Sequence, residues 1–241
     1  MNTKKLHLVR TLAFTALIAG TLGSCAPSVK IDIANDNSAK MEFSTSLSKS
    51  IEGSIRSLMG LQNDEPLYKE APVRASLIAT GLDVESINFP SMTGIEIKAG
   101  IKNINTSLTY AKDAVRVVSK GSGKEATIQF SPQIITEALN FMPEETRTYA
   151  DLLMAPVFTG EKMTADEYLF LLSMVYGETL ANELAKSSFF VELSAPSDIK
   201  QASLSDTSLG TVSISGKKAI FTISLYKLLS TSGKTEYLVS W

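Results

Sequence analysis

Histidine and cysteine are almost missing from this sequence, which contains one of each, His7 and Cys25, in 241 residues. A single cysteine excludes a disulfide within the chain. The residues after Cys25 contain neither type, which excludes Ser-His-Asp and Cys-His catalysis, a histidine general base, and metal sites built from imidazole or thiolate. We therefore expect no metal, no organic cofactor and no enzymatic activity. Any enzyme would have to use carboxylates, lysine, tyrosine or serine.

The N-terminal region also lacks a hydrophobic run long enough to span a bilayer. The run Thr11–Leu22 is interrupted at Gly20 and is shorter than the roughly 18 residues that a spanning helix needs. It follows Met1–Arg10, a segment with three basic residues and no acidic one. A basic region followed by a short apolar region is typical of a secretory signal peptide.

The apolar run ends at Leu22-Gly23-Ser24-Cys25, which resembles the lipobox of bacterial lipoproteins. This resemblance implies that the signal peptide, residues 1–24, is removed and that Cys25 receives a thioether-linked diacylglycerol. It also implies acylation of the new N-terminus, for example by palmitate. Two or three acyl chains give stable anchoring, at about 0.8 kcal/mol per buried CH₂. Position 26 is alanine rather than aspartate, which implies a lipid-anchored envelope protein in the outer membrane.

The sequence also lacks a strong positive net charge. Residues 1–24 hold three of the 23 basic residues and none of the 25 acidic ones, so their removal changes the formal net charge from −2 to −5. A mildly acidic body does not favour binding to nucleic acid or electrostatic adhesion to anionic lipid. We therefore expect the membrane to be a partner, through the lipidated Cys25, and nucleic acid not to be one.

Alternation of apolar and polar residues predicts strands near both ends of the chain. Val29, Ile31 and Ile33 alternate with other residues, and a turn at Asn35–Ser38 leads to a second alternating run, Met41–Thr45. Further alternating runs occupy 95–101, 115–117, 126–130, 189–193, 212–214, 219–223 and 237–241. Helical periodicity is found at 47–59 and 73–80. We predict a single α+β domain over residues 25–241, with an antiparallel sheet built from both ends of the chain.

Strand patterns are missing between residues 131 and 187, where helix signals replace them. Ser131-Pro132 begins one predicted helix, and Pro143 begins a second that ends before Pro156. Thr164 and Glu167 have the spacing of a capping box and begin a third. The third helix has an apolar stripe interrupted by Gly177, a position that indicates close packing or a kink; the stripe consists of Tyr168, Leu172, Val175, Tyr176, Leu180 and Leu184. We predict a helical insertion at residues 131–187, packed on the sheet.

One short motif is compatible with catalysis. Ser46-Leu47-Ser48-Lys49 matches the S-x-x-K pattern of serine acyl-enzymes, in which the lysine assists deprotonation of the serine. The S-D-N and K-T-G elements of those enzymes are absent, since Asp198 is followed by Ile199 and Thr235 by Glu236. A Ser-Lys hydrolase that uses Ser46 and Lys49 is therefore only an alternative hypothesis.

The helical insertion contains an apolar, methionine-rich stretch. It begins at Leu152, and four methionines lie in the insertion, at positions 142, 154, 163 and 174. Methionine is common on surfaces that accept variable apolar partners. We therefore predict a hydrophobic binding surface for an acyl lipid or a protein partner, formed by Leu153, Met154, Val157, Phe158 and Met163. The alternative is that these side chains pack the helices onto the sheet.

The order of elements is similar to that of a group of envelope lipoproteins and, more faintly, to LppM-type lipoproteins. The segments that carry this resemblance are Asp151 to Met163 and the closing Tyr237-Leu238-Val239-Ser240-Trp241. The resemblance implies a fold class and supplies no catalytic residues. Our leading hypothesis is a membrane-anchored, non-enzymatic envelope lipoprotein that binds a hydrophobic ligand or protein partner through its helical segment. A surface antigen or adhesin is a further alternative.

Overall fold

Within the described residues, most of the strands and helices that the sequence patterns indicate are present, in the same order along the chain. The computed structural model describes residues 26–58, 60–108, 114–134 and 162–241. The strands in these ranges are β1 (Ser28–Ile33), β2 (Ala39–Ser46), β3 (Asp83–Ser91), β4 (Gly94–Ile101), β5 (Val115–Lys120), β6 (Gly123–Phe130), β7 (Ser188–Ser194), β8 (Gln201–Leu204), β9 (Gly210–Ser215), β10 (Lys218–Ser224) and β11 (Thr235–Ser240). The helices there are α1 (Lys49–Leu58), α2 (Glu70–Ala79), α3 (Ile104–Ser107), α4 (Ala165–Tyr176), α5 (Glu178–Lys186) and α6 (Leu225–Ser230).

The strands of the described residues form two sheets rather than one. A seven-stranded sheet has the order β3-β4-β2-β1-β7-β10-β9, and a four-stranded sheet has the order β5-β6-β11-β8. Neighbouring strands are antiparallel throughout, except that β1 runs parallel to β7, with Ser28 opposite Phe190. Both sheets combine strands from the two ends of the chain. The predicted α+β class and the contribution of both ends are therefore confirmed.

The hydrophobic core lies between the two sheets. Phe130 and Tyr237 of the smaller sheet meet Phe189 and Phe221 of the larger one in edge-to-face contacts, with ring centroids 5.3–5.6 Å apart. Around them, alternate residues of β1, β7 and β10 point inward, as period-two patterning requires; those with the lowest exposure are Val191, Leu193, Ala219, Phe221 and Ile223. Helix α2 covers the rest of this face of the larger sheet, where Val73 and Leu77 pack on a cluster that contains Ile97.

The opposite face of the larger sheet is exposed to water. Lys98 pairs with Glu42 at 2.9 Å and Lys218 with Glu192 at 2.6 Å, and each lysine side chain is about half exposed. Exposed pairs of this kind contribute about 0–1 kcal/mol each. The hairpin β1–β2 therefore has one buried and one wet face, and its turn contains Asn37 with a φ of 64°.

The C-terminal residue is held in the fold. The Lys124 N–H donates to the Trp241 carbonyl and the Trp241 N–H donates to the Lys124 carbonyl, both at 3.0 Å. The Trp241 side chain is buried in the main core. All the core clusters and strand pairs described here form within residues 28–241, so residues 26–241 contain this fold in full.

Replacing Tyr237 by phenylalanine should raise the free energy of unfolding by about 1 kcal/mol. Tyr237 is fully buried, and burial raises the pKa of its hydroxyl. In the described part of the chain this hydroxyl has no hydrogen-bond partner. It therefore loses its hydration on folding without compensation, whereas phenylalanine keeps the ring contacts with Phe130 and Phe221. Urea denaturation of residues 26–241 measures the change, and a loss of stability would mean that the hydroxyl is paired in solution.

Candidate functional site

Four helices of the described residues lie at one end of the seven-stranded sheet. Ser28 at the start of β1 is opposite Ser44 near the end of β2 and opposite Phe190 near the start of β7. The end of β10 is level with the start of β7, because Ser224 pairs with Ser188. Helix α1 follows β2, α5 precedes β7 and α6 follows β10, so all three are at this end, and α4 packs on α5 and α6. We call α1, α4, α5 and α6 the helical end.

The helices α4, α5 and α6 share a small core of their own. Tyr168, Leu172 and Ala181 are buried in it, and the partly buried side chains packed around them are Met163, Tyr176, Leu184, Tyr226 and Leu229. Burial raises the pKa of the Tyr168 hydroxyl. Met163, which we predicted to line a binding surface, therefore contacts this small core. This contact agrees with the packing alternative, and a binding role for Met163 stays a prediction.

The start of α4 is fixed by the capping box that the sequence predicts. The Glu167 N–H donates to the Thr164 hydroxyl at 3.2 Å, and the Thr164 N–H donates to the Glu167 carboxylate at 2.8 Å. The Thr164 hydroxyl also donates to the Glu167 carboxylate, at 2.8 Å. The two hydrogen bonds that the carboxylate accepts from Thr164 lower the pKa of Glu167, the one from the backbone N–H most strongly. The cap sets where α4 begins and therefore which of its residues face α5 and α6.

The other side of α4 is apolar and exposed. Phe170, Met174 and Val175 are 67%, 71% and 61% exposed, and Leu171 is 37% exposed. On an α-helix these four residues occupy one continuous surface, opposite and beside the buried pair Tyr168 and Leu172. A helix that is apolar on nearly all sides normally has cover on all sides. We call Phe170, Leu171, Met174 and Val175 the α4 apolar face.

Other exposed apolar side chains lie at the same end of the sheet. Phe190 is level with Ser28, and Met92 is in the β3–β4 turn, which adjoins the end of β2 because Ser46 pairs with Gly94. Among the described residues, seven of the ten large hydrophobic side chains that are exposed lie at this end; they are Phe89, Met92, Phe170, Leu171, Met174, Val175 and Phe190. The exposed apolar side chains of the described residues are therefore concentrated at this end of the sheet.

The chain enters the fold at this end. Ala26 and Pro27 are the first described residues and precede β1 directly. The Phe190 N–H donates to the Pro27 carbonyl at 3.0 Å, which ties the entering chain to the start of β7. Pro27, the second residue after the lipobox resemblance, is therefore hydrogen-bonded to the exposed Phe190.

Most of the residues that the sequence singles out lie outside the described ranges. Cys25 is one of them, and the predicted binding residues Leu153, Met154, Val157 and Phe158 are the others. The α4 apolar face was not among the predicted site residues, and Val175 was assigned to the apolar stripe of the third predicted helix. The sequence did contain a pattern that indicates an apolar face on more than one side of this helix. Tyr168–Tyr176 is apolar at every position except Ser173.

The Ser46 and Lys49 positions do not resemble an activated Ser-Lys pair. Ser46 ends β2 half-buried, whereas Lys49 begins α1 and is exposed. A lysine that acts as a base needs burial or a neighbouring cation to lower its pKa. The buried hydroxyl in this corner is that of Ser48, which lies 2.7 Å from the Ser50 hydroxyl and donates to the Glu183 carboxylate at 3.3 Å. This contact joins α1 to α5.

A buried arginine, which sequence reasoning missed, holds the loop after α1. The Arg56 side chain is 4% exposed, and its Nε donates to the Glu52 carboxylate at 2.9 Å. Its Nη1 donates to the carbonyls of Gln62 and Glu65, at 2.9 and 2.6 Å. The only signal in the sequence was the i, i+4 spacing of Glu52 and Arg56, which is common on exposed helices. These bonds make Arg56 a structural residue.

An open depression of about 380 Å³ lies at the opposite end of the larger sheet, and Gly100 is one of the residues that line it. Its lining carries charges of both signs, from Asp32, Lys40, Asp83, Glu85 and Lys102. Within the described residues, no group of three or more His, Cys, Asp or Glu side chains is arranged to hold a metal ion. None of the helices there is long and apolar enough to cross a membrane.

Comparison with known proteins adds little to this geometry. No protein-family model and no curated protein matches the sequence. The structure is similar to the NMR structure of the folded domain of the LppM protein from Mycobacterium tuberculosis, with a TM-score of 0.37 and 7% sequence identity, over 90% of this chain and 89% of that chain. At this TM-score, the similarity supports no argument about function.

Proposed function

We propose that this protein is a non-enzymatic lipoprotein of the cell envelope, anchored through Cys25, whose helical end binds an apolar partner. The observation that carries the proposal is the coincidence of two features at one end of the sheet. The chain enters there directly after the lipobox resemblance, and the α4 apolar face is exposed there. The absence of histidine and thiol after Cys25 and the exposure of Lys49 support a non-enzymatic role.

The predicted binding residues fit this proposal by their place in the chain. Leu153, Met154, Val157 and Phe158 precede α4 in sequence, and Met163 lies between them and the α4 cap. Together with the α4 apolar face they would offer an acyl lipid or a protein partner a larger apolar surface than α4 alone. Native mass spectrometry of residues 26–241, with lipid extraction of the same sample, tests for a retained acyl species.

Replacing Cys25 by serine should abolish membrane attachment. A serine cannot form the thioether to diacylglycerol, so the acyl chains that give stable anchoring are lost. The experiment is expression of both proteins in a bacterium with two membranes, metabolic labelling with palmitate and separation of the inner and outer membranes. We expect the label and the outer-membrane location for the native protein and neither for Cys25→Ser. Ser24→Ala is the matched control, because it leaves the thiol in place. Unlabelled native protein would contradict the proposal.

A further inference from the structure

We infer that the partner of the α4 apolar face is the lipid bilayer itself: the helical end docks on the membrane that holds the Cys25 anchor, with Phe170 and Met174 inserted at its surface. This inference rests on the anchor proposed above. It adds an orientation, because it states which surface of the body faces the lipid and which faces water.

The chain between the anchored Cys25 and the start of β1, which we call the tether, is short. Cys25 is three residues before Ser28, the first residue of β1. A fully extended chain spans at most about 3.3–3.6 Å per residue, so Ser28 lies within about 10 Å of an anchored Cys25. An α-helix with its side chains is about 10–12 Å in diameter. A tether of this length leaves no room for a folded partner between the bilayer and the start of β1.

The layering of the helical end places α4 on the outside. Helices α5 and α6 connect directly to β7 and β10, and the Leu225 N–H of α6 donates to the Ser187 carbonyl at 3.0 Å. Helix α4 packs on α5 and α6 through Tyr168 and Leu172. Its apolar face is therefore turned away from the two helices that attach to the sheet. With the start of β1 held close to the lipid, this outer face is the one that reaches the headgroup region.

The composition of the surface fits a neutral bilayer. Amphipathic helices that lie in the membrane plane bury their apolar face about 5–10 Å into the boundary between headgroups and acyl chains. Phenylalanine and methionine side chains, as on the α4 apolar face, suit that depth. The charges near this face are acidic in the first turn of α4, at Asp166 and Glu167, and exposed Lys162 precedes them. Attraction to anionic lipid is therefore not expected to contribute, and the acyl anchor supplies the affinity.

The test places a tryptophan on the face and asks whether lipid reaches it. The lipidated Phe170→Trp protein is reconstituted in phosphatidylcholine vesicles with or without brominated acyl chains, which quench tryptophan that touches them. The matched control is Ile214→Trp, at an exposed position of β9 away from the helical end. Subtracting the native spectrum removes the contribution of the buried Trp241. We expect a shift to shorter wavelength and quenching for Phe170→Trp, and neither for Ile214→Trp.

Three results would overturn the inference. A blue-shifted emission without quenching would mean that protein, such as residues 135–161 of the same chain, covers the face. Emission that depends on protein density would indicate a second copy. Equal quenching at both positions would mean that the body lies on the membrane without using α4. The mass of the purified protein reports lipidation of Cys25 separately, so a failed anchor is distinguished from a failed docking surface.

Discussion

Replacing Phe221 by alanine should lower the free energy of unfolding of residues 26–241 by about 3–5 kcal/mol. Phe221 is fully buried in β10, between β7 and β9, and its ring meets that of Tyr237 at 5.3 Å and 76°. This contact joins the two sheets. Truncation removes the buried apolar surface and leaves a cavity that the flanking strands cannot close without breaking their ladders. Urea denaturation followed by circular dichroism measures the change as a lower midpoint at a constant slope.

The control for this prediction lies on the neighbouring strand. Ile214 of β9 is 45% exposed, so Ile214→Ala should change stability by no more than about 0.5 kcal/mol. A loss of less than about 1 kcal/mol for Phe221→Ala, far below the usual cost of such a truncation, would mean that the sheets do not pack face to face in solution.

Most of the strands could be predicted because two local patterns agree at each of them, an alternation of apolar and polar residues and a turn sequence at the end of the strand. In β1 and β2 a period-two pattern is bounded by a turn, and the structure places Ile31 and Ile33 in the core and Asn37 in the left-handed region. The strand β3 was missed because its pattern is irregular. Its register shifts between Val84 and Ser86 and again between Asn88 and Ser91, which breaks the alternation.

Sequence patterns do not report how distant strands pair. The parallel neighbours β1 and β7 are separated by more than 150 residues, and no turn fixes their register. The division into two sheets is equally non-local, since β6 pairs with β11, which begins more than 100 residues later. Local sequence patterns therefore predict the strands and their inward faces but not the order of the strands in each sheet.

The candidate site was harder to predict because its residues look like core residues. Val175 continues the stripe of Tyr168 and Leu172, yet it is 61% exposed, and it lies one residue before the end of α4 at Tyr176. Helix α6 was also missed, because it follows β10 without a break and its N-cap, Ser224, makes no side-chain hydrogen bond. Periodicity identifies apolar faces, but it does not say which of them a neighbour covers.

Replacing Gly177 by alanine should disturb the helical end without touching any neighbour. Gly177 separates α4 from α5 with φ 90° and ψ 156°, a conformation almost restricted to glycine. A Cβ added there meets nothing within 4 Å, so the cost is conformational, about 1–3 kcal/mol. The matched control is Gly53→Ala in α1, where open space and a helical backbone predict a gain of about 0.5–1 kcal/mol.

The backbone strain in the Gly177→Ala variant can be relieved in one simple way, by a change of conformation at residue 177. That change disrupts the α4 apolar face. If the residue becomes helical, α4 and α5 merge into the continuous helix that the sequence pattern alone predicts. Tyr168 and Leu172 then lose the turn that brings them against Ala181. We expect faster amide exchange over residues 165–186, with that of β7 and β10 unchanged, and loss of the lipid quenching of Phe170→Trp in the double variant. Unchanged exchange and quenching would mean that the break at Gly177 does not set the position of α4.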